Sequence, residues 1–116
     1  FDELDARRAI DSARQRLCLF GHTHVAMVFR LTGRSIGFMD LPGTRIALDA
    51  DAKYLVNPGS VGQPRDGDPR AGFAIADTAA REVTLYRVEY PIAEAQARIL
   101  AEGLPDVLAQ RLALGR

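Results

Sequence analysis

Residues 25–41 read VAMVFRLTGRSIGFMDL, and this stretch decides the fold class. Two runs rich in β-branched, aromatic and aliphatic residues, Val25–Leu31 and Ser35–Leu41, flank the triplet Thr32-Gly33-Arg34, a pattern that predicts a β-hairpin. Strands joined by hairpins, without helical crossovers, build an antiparallel sheet. Downstream, RIALDADAKYLVN (45–57) adds two short extended pieces, Arg45–Leu48 and Tyr54–Asn57. A Gly/Pro/Asp-rich loop then runs from Pro58 to Pro69. RAGFAIADT (70–78) is a further strand, AARE (79–82) a turn and VTLYRVEY (83–90) the last strand. Beyond Pro91, IAEAQARILAEG (92–103) has Ile92, Ala95, Ile99 and Leu100 on one side and is closed by Gly103, an amphipathic helix. A final helix is expected from Pro105 to Leu114, with proline in its first turn. Upstream, LCLF (17–20) reads as a short strand buried on both faces. DELDARRAIDSARQR (2–16) reads as a helix with acids in its first turn and Arg14 and Arg16 in its last. Phe1, Leu4, Ile10, Ala13 and Leu17 form its thin apolar stripe. The expectation is α+β: one domain, a mostly antiparallel sheet and flanking helices.

The bulk numbers suit that expectation. At 116 residues with 47% hydrophobic content, one buried core is feasible. Fifteen basic residues balance fifteen acidic ones, so there is no nucleic-acid footprint. Lys53 is the one lysine; the other cations are arginines. No apolar stretch approaches the ~20 residues needed to cross a bilayer, so no membrane partner is expected. Cys18 stands alone in an apolar run, which reads as a buried, inert thiol. A single cysteine excludes an intrachain disulfide and fits a reducing, cytoplasmic compartment.

The short strand at 17–20 runs into GHTH, residues 21–24, which hold both histidines of the chain. Imidazole is a common metal ligand, and in a regular strand residues two apart share a face. His22 and His24 could thus aim at one place, or at two adjacent ions. Taken alone, an H-x-H triplet more often reflects two exposed or hydrogen-bonded histidines with no metal. Two ligands are also fewer than a zinc site takes from protein. Asp40, Asp49, Asp51, Asp66 and Asp68 stand at no ligand spacing.

The second informative stretch is NPGSVGQPRDGDPR, residues 57–70. Its glycines permit tight turns and close approach of another group to the backbone. Ser60 offers a hydroxyl, and Arg65 and Arg70 offer forked donors suited to phosphate. Asp66 and Asp68 nearly cancel those charges. On residue chemistry alone the stretch reads first as a solvated connection between two strands, held by its turn residues.

Taken together, GHTH after an apolar strand and NPGSVGQPRDGDPRAGFAI (57–75) some thirty residues later closely resemble the calcineurin-like metallophosphoesterases, and more narrowly their small prokaryotic phosphodiesterase branch. The resemblance runs from about Leu17 to Tyr90. It implies a four-layer αββα sandwich and a metal-dependent phosphoester hydrolase, a phosphodiesterase or phosphatase. The cofactors it implies are two divalent metal ions (manganese, iron or zinc), with His22 on one and His24 on the other. Such a pair would polarise a phosphate and generate the hydroxide that attacks phosphorus in line. By the same resemblance Asn57, Gly59 and Ser60 shape the wall of the substrate site, and Arg65 meets the phosphate of a phosphoester substrate. The family's other ligand motifs are an Asp-x-His, a Gly-Asp-x-x-Asp, a Gly-Asn-His with an acid, and a further histidine; none occurs in these residues. Residues 1–116, opening on Phe1, are therefore expected to be the carboxy-terminal portion of a metallophosphoesterase domain, inactive alone. An apolar sheet face left open would then be covered by a homodimer. The competing reading is a non-catalytic binding or assembly module that keeps the fold.

Overall fold

A computed structural model of the chain describes residues 2–39 and 45–116. Its elements are α1 (Glu3–Ser12), β1 (Leu17–Leu19), β2 (Ala26–Thr32), β3 (Ser35–Met39), β4 (Arg45–Ala47), β5 (Ala52–Pro58), β6 (Ala71–Asp77), β7 (Glu82–Val88), α2 (Ile92–Ala101) and α3 (Asp106–Leu114). The strands form two sheets, one ordered β1-β5-β2-β3 and the other β4-β7-β6. The architecture is the α+β class read from the hairpin, which closes at Thr32↔Ser35 around Gly33 at φ 58°. Phe1, Asp40 and Leu41, each named in the sequence reading, lie outside the described residues.

Strand alternation sorts the side chains into two cores. Val28, Ala52, Tyr54 and Val56 of the first sheet meet Ile46, Val83 and Leu85 of the second. On the opposite face of the first sheet, Phe29, Leu31 and Leu55 pack against Ala6 and Ile10 of α1. Each of the larger aliphatics buried in this way contributes about 1.5–3 kcal/mol. Tyr54 is 1% exposed; its hydroxyl accepts from Arg30 Nε at 3.2 Å and from the Asp49 amide at 3.1 Å. The outer face of the second sheet shows exposed Phe73, Ile75, Tyr86 and Val88, with Phe73 and Tyr86 stacked at 5.2 Å. No helix among the described residues is long and apolar enough to cross a membrane.

Several local expectations are corrected. Helix α1 ends at Ser12, not at residue 16, because Ala13 turns to an extended conformation at ψ 136°. Arg14 and Arg16 therefore lie beyond it, and Lys53 Nζ reaches the helix-end carbonyls of Ile10 and Ala13 at 3.4 and 3.5 Å instead. The buried stripe of α1 is Ala6 and Ile10, four residues apart, while Leu4 is exposed. Strand β1 is not buried on both faces: Leu19 is 61% exposed, and β5 is the one neighbour of β1 among the described residues. Cys18 is half-buried, its thiol 3.7 Å from the Gln15 carbonyl.

The pairing that matters for function is β1 with β5, which is parallel, Leu17↔Tyr54 through Leu19↔Val56. A parallel pair needs a long connection, and the chain supplies it by building the β2–β3 hairpin and β4 in between. Both carboxyl ends then leave the sheet at the same edge. Strand β2 starts there too, with Met27 opposite Asn57 and Ala26 opposite Pro58. The two motifs of the sequence reading, GHTH and NPGS, are thereby brought together.

Helices α2 and α3 form a hairpin after the last strand. Gly103 at φ 69° closes α2: its N–H bonds the Leu100 carbonyl at 3.0 Å and Leu104 N–H bonds that of Ile99 at 3.3 Å. This is the paired pattern that satisfies the last carbonyls of a helix.

Candidate functional site

The GHTH segment is not a strand. The β1–β5 ladder extends one bond further, Phe20 N–H to the Val56 carbonyl at 3.0 Å, and then the backbone turns sharply. His22 and His24 both have positive φ, 78° and 61°. The two-residue alternation of a strand therefore does not govern where these rings point. Left-handed conformations cost a non-glycine residue about 1–2 kcal/mol each, although histidine adopts them more readily than most. Two within three residues persist only where surroundings hold them, and such strain clusters at functional sites.

Asn57 does the holding. It is completely buried at the end of β5. Its Nδ2 donates to Thr23 Oγ1 at 2.8 Å and toward the Gly21 carbonyl at 3.4 Å, and its Oδ1 accepts from Gly59 N–H at 2.9 Å. One amide thus joins the histidine segment to the start of the loop. Gly59 stands at φ 90°, and a Cβ there would come no nearer than 3.6 Å to Ala26 Cβ or Arg87 Nη2. Glycine is required at this turn by conformation, not by crowding.

The loop crosses back over His24. The ring's Nδ1 lies 2.8 Å from the Gln63 carbonyl, and Arg65 N–H donates to the His24 carbonyl at 3.0 Å. A carbonyl can only accept, so the neutral ring carries its proton on Nδ1 and keeps the Nε2 lone pair for another partner. A backbone carbonyl on the far nitrogen is a usual support for a metal-ligating histidine. His22 is exposed. Among the described residues no group of three or more His, Cys, Asp and Glu is arranged to hold a metal ion. The two imidazoles fit a metal as part of its ligand set and are too few to close one.

The loop is packed, not solvated throughout. Pro64 is among the most fully buried side chains. Ser60 Oγ accepts from Gln63 N–H at 3.0 Å, and its carbonyl accepts from Gly72 N–H at 2.8 Å, tying the loop to the start of β6. Asp66 Oδ2 accepts from Ala26 N–H at 3.2 Å and from the Arg87 guanidinium of β7 in a short contact. That ion pair is mostly buried, with side chains 18% and 15% exposed.

The charges therefore cancel differently from the sequence expectation. Asp68 holds Arg70 through two Nε contacts at 3.0 and 3.1 Å and one from Nη2 at 2.7 Å. The Arg70 guanidinium lowers the Asp68 carboxyl from 3.8 to about 2. Asp66 faces Arg87, so it does not neutralise Arg65. Arg65 instead leans on its own neighbour, Nε at 3.2 Å and Nη2 at 2.6 Å from Gln63 Oε1. A neutral amide does not offset the guanidinium charge, and three of the five guanidinium N–H groups have no partner among the described residues. Thr23, Gln63 and Arg87 carry this arrangement and were not singled out from the sequence. Their partners lie 34, 39 and 21 residues away along the chain, which no local pattern reveals.

Known proteins resemble the chain in sequence and in fold. The sequence profile of the calcineurin-like phosphoesterase superfamily domain matches residues 2–81. The chain belongs to that superfamily. The match covers the histidine segment, Asn57 and the loop together. The crystal structure of a metallophosphoesterase from Sphaerobacter thermophilus aligns with this superfamily member at a TM-score of 0.81 and 42% identity, over 96% of this chain and 47% of that one. An uncharacterized protein of Methanocaldococcus jannaschii is 43% identical over 100 residues, 86% of this chain and 40% of that protein. The chain thus spans less than half the length of either relative. Calcineurin-like phosphoesterases generally use divalent metals, and membership supports a phosphoesterase-type function.

Proposed function

We propose that the protein is a metal-dependent phosphoester hydrolase acting on phosphodiesters or phosphomonoesters, in which His22 and His24 are metal ligands and the 57–65 segment forms the substrate wall. The observation that carries this reading is the orientation of His24. Its Nδ1 is fixed on the Gln63 carbonyl, its Nε2 is left for a cation, and the loop that fixes it also carries Arg65, which has no carboxylate partner among the described residues. Divalent metal, two ions of manganese, iron or zinc in this reading, supplies Lewis acidity toward a phosphate oxygen and toward water. The chain's own residues do the rest. Asn57 holds the histidine segment in its strained turn. Gly59 and Ser60 shape the wall through the backbone. Arg65 offers its remaining N–H groups to a phosphate oxygen, a charge-assisted contact.

In this reading the missing metal ligands come from a part of the protein not among these residues, and the 116-residue chain is inactive alone. A non-catalytic binding module is favoured only for the isolated chain, on the absence of a three-ligand cluster among its described residues. The test is hydrolysis of bis(p-nitrophenyl) phosphate and p-nitrophenyl phosphate by the natural-length protein loaded with manganese. Activity is expected, falling at least ~100-fold in His24→Ala. A loaded wild type inactive toward a broad phosphoester panel would refute the reading.

A further inference from the structure

The α2–α3 hairpin takes no part in the site as described, yet its far end meets the loop that builds it. Gly115 caps α3 in the left-handed conformation, φ 63° and ψ 39°. It is buried, and its carbonyl accepts from Gly67 N–H at 3.0 Å. A Cβ added at Gly115 would lie 2.8 Å from Gly67 C and Asp68 N and 2.9 Å from Asp68 C. Those neighbours are backbone, so the contact cannot be relieved by turning a side chain. Helix α3 thus ends face to face with the backbone of the substrate loop, two residues from Arg65.

Between Gly67 and the histidine, successive loop residues are hydrogen-bonded to the rest of the fold. Asp66 is anchored to Ala26 and Arg87. Arg65 N–H is bonded to His24 and the Gln63 carbonyl to the His24 ring. Asp68 is locked to Arg70 on the other side. The hairpin itself is braced by Gln96 Nε2 donating to the Ala109 carbonyl at 2.9 Å and by buried Ala109 and Leu112.

From this contact we infer that Gly115 is a positioning residue: the end of α3 sets the height of the 62–70 loop, and with it the placing of Arg65 relative to His24. The inference rests on the phosphoesterase reading for its consequence in turnover, but the positioning itself has a readout that needs no activity. A displaced loop carries Arg65 away from the substrate phosphate. The Asn57 clamp, on the other side of His24, leaves the histidine segment in place. The expected signature is weaker substrate affinity with metal retained.

The experiment uses the natural-length protein with Gly115→Ala and Gly115→Asn. Asparagine tolerates the left-handed backbone better than alanine but carries the same Cβ, so the pair separates close approach from backbone strain. The first readout is amide hydrogen exchange at Gly67 and Arg65, at unchanged global stability by urea unfolding. Both amides should exchange at least ~10-fold faster in both variants. The second is kinetic: with bis(p-nitrophenyl) phosphate and manganese, KM should rise about 5- to 10-fold while kcat stays within about 2-fold. Acceleration at Gly67 alone, with Arg65 unmoved, would overturn the inference by showing a purely local contact. Loss of kcat and metal together would overturn it too, marking Gly115 as a general structural residue. If the wild type cleaves no phosphoester, the proposed function fails, and the exchange data still decide whether α3 positions the loop.

Discussion

Replacing Asn57 by alanine tests the account of how the histidine segment is held. The side chain is completely buried and makes two well-formed hydrogen bonds, to Thr23 Oγ1 at 2.8 Å and from Gly59 N–H at 2.9 Å, plus a long one to the Gly21 carbonyl. Each ordinary bond is worth about 1 kcal/mol net, and a partner left unsatisfied costs about 1–3 kcal/mol. Gly59 N–H and the Gly21 carbonyl lose their partner together, so Asn57→Ala should lower the unfolding free energy by about 2–4 kcal/mol. That is a substantial part of the ~5–15 kcal/mol available to a domain. Urea unfolding monitored by circular dichroism measures it. Asn57→Asp should do no better: a carboxylate keeps the Gly59 contact, yet it cannot donate to Gly21 and buries a charge. A cycle with Thr23→Val should show coupling of about 1 kcal/mol. A loss under about 0.5 kcal/mol in Asn57→Ala would refute the clamp and leave the positive φ of His22 and His24 without a cause.

Four further outcomes follow from the same structure. Gly59→Ala should cost about 1–2 kcal/mol, read by urea midpoint, and Gly59→Asn should recover part of it, because φ 90° and not space is the constraint; equal stability of alanine and glycine would sink this. Asp66→Ala leaves Arg87 without its carboxylate and Ala26 N–H without an acceptor, so a loss of about 2–3 kcal/mol is expected, and an unchanged urea midpoint would argue against that anchor. The Asp68 carboxyl lies at about 2 in the fold against an ordinary 3.8. Its contribution is therefore fully present above about pH 4 and fades as pH falls through 2; carbon-detected NMR titration should place its midpoint near 2, returning toward 3.8 in Arg70→Ala, and a wild-type midpoint near 4 would contradict the pairing. Lys53→Met removes the cation from the end of α1 and should destabilise by about 0.3–1 kcal/mol, with hydrogen exchange accelerated at the last turn of α1; no change there would assign the contact no role.

What the sequence made legible was whatever depends on local texture. The β2–β3 hairpin follows from two apolar runs around Gly33, and the closure of α2 from Gly103. The histidine pair and the loop are legible as motifs, because the resemblance rests on spelled-out residues. What lay out of reach depends on partners far along the chain. Arg14 and Arg16 look like the basic last turn of a helix, but the ladder with β5 already begins at Arg16, whose carbonyl accepts from Tyr54 N–H at 2.7 Å, and demands an extended approach. Asp66 and Arg65 are neighbours in sequence and look like a cancelling pair; the fold sends Asp66 to Arg87, and Arg65 rests on Gln63 instead. His22 and His24 lie beyond the end of β1 at Leu19, so a shared strand face does not apply to them.

Gln63 serves two masters. Its main-chain carbonyl orients the His24 ring, and its side-chain amide oxygen steadies Arg65. Substitution at position 63 changes the second and leaves the carbonyl of the first in place, since every amino acid brings the same backbone oxygen. The imidazole's tautomer is thus insulated from drift at this position, while the bearing of the guanidinium is open to it. Under the proposed function, a single change there retunes the contact of Arg65 with an ester while the orientation of the His24 ring stays as it is.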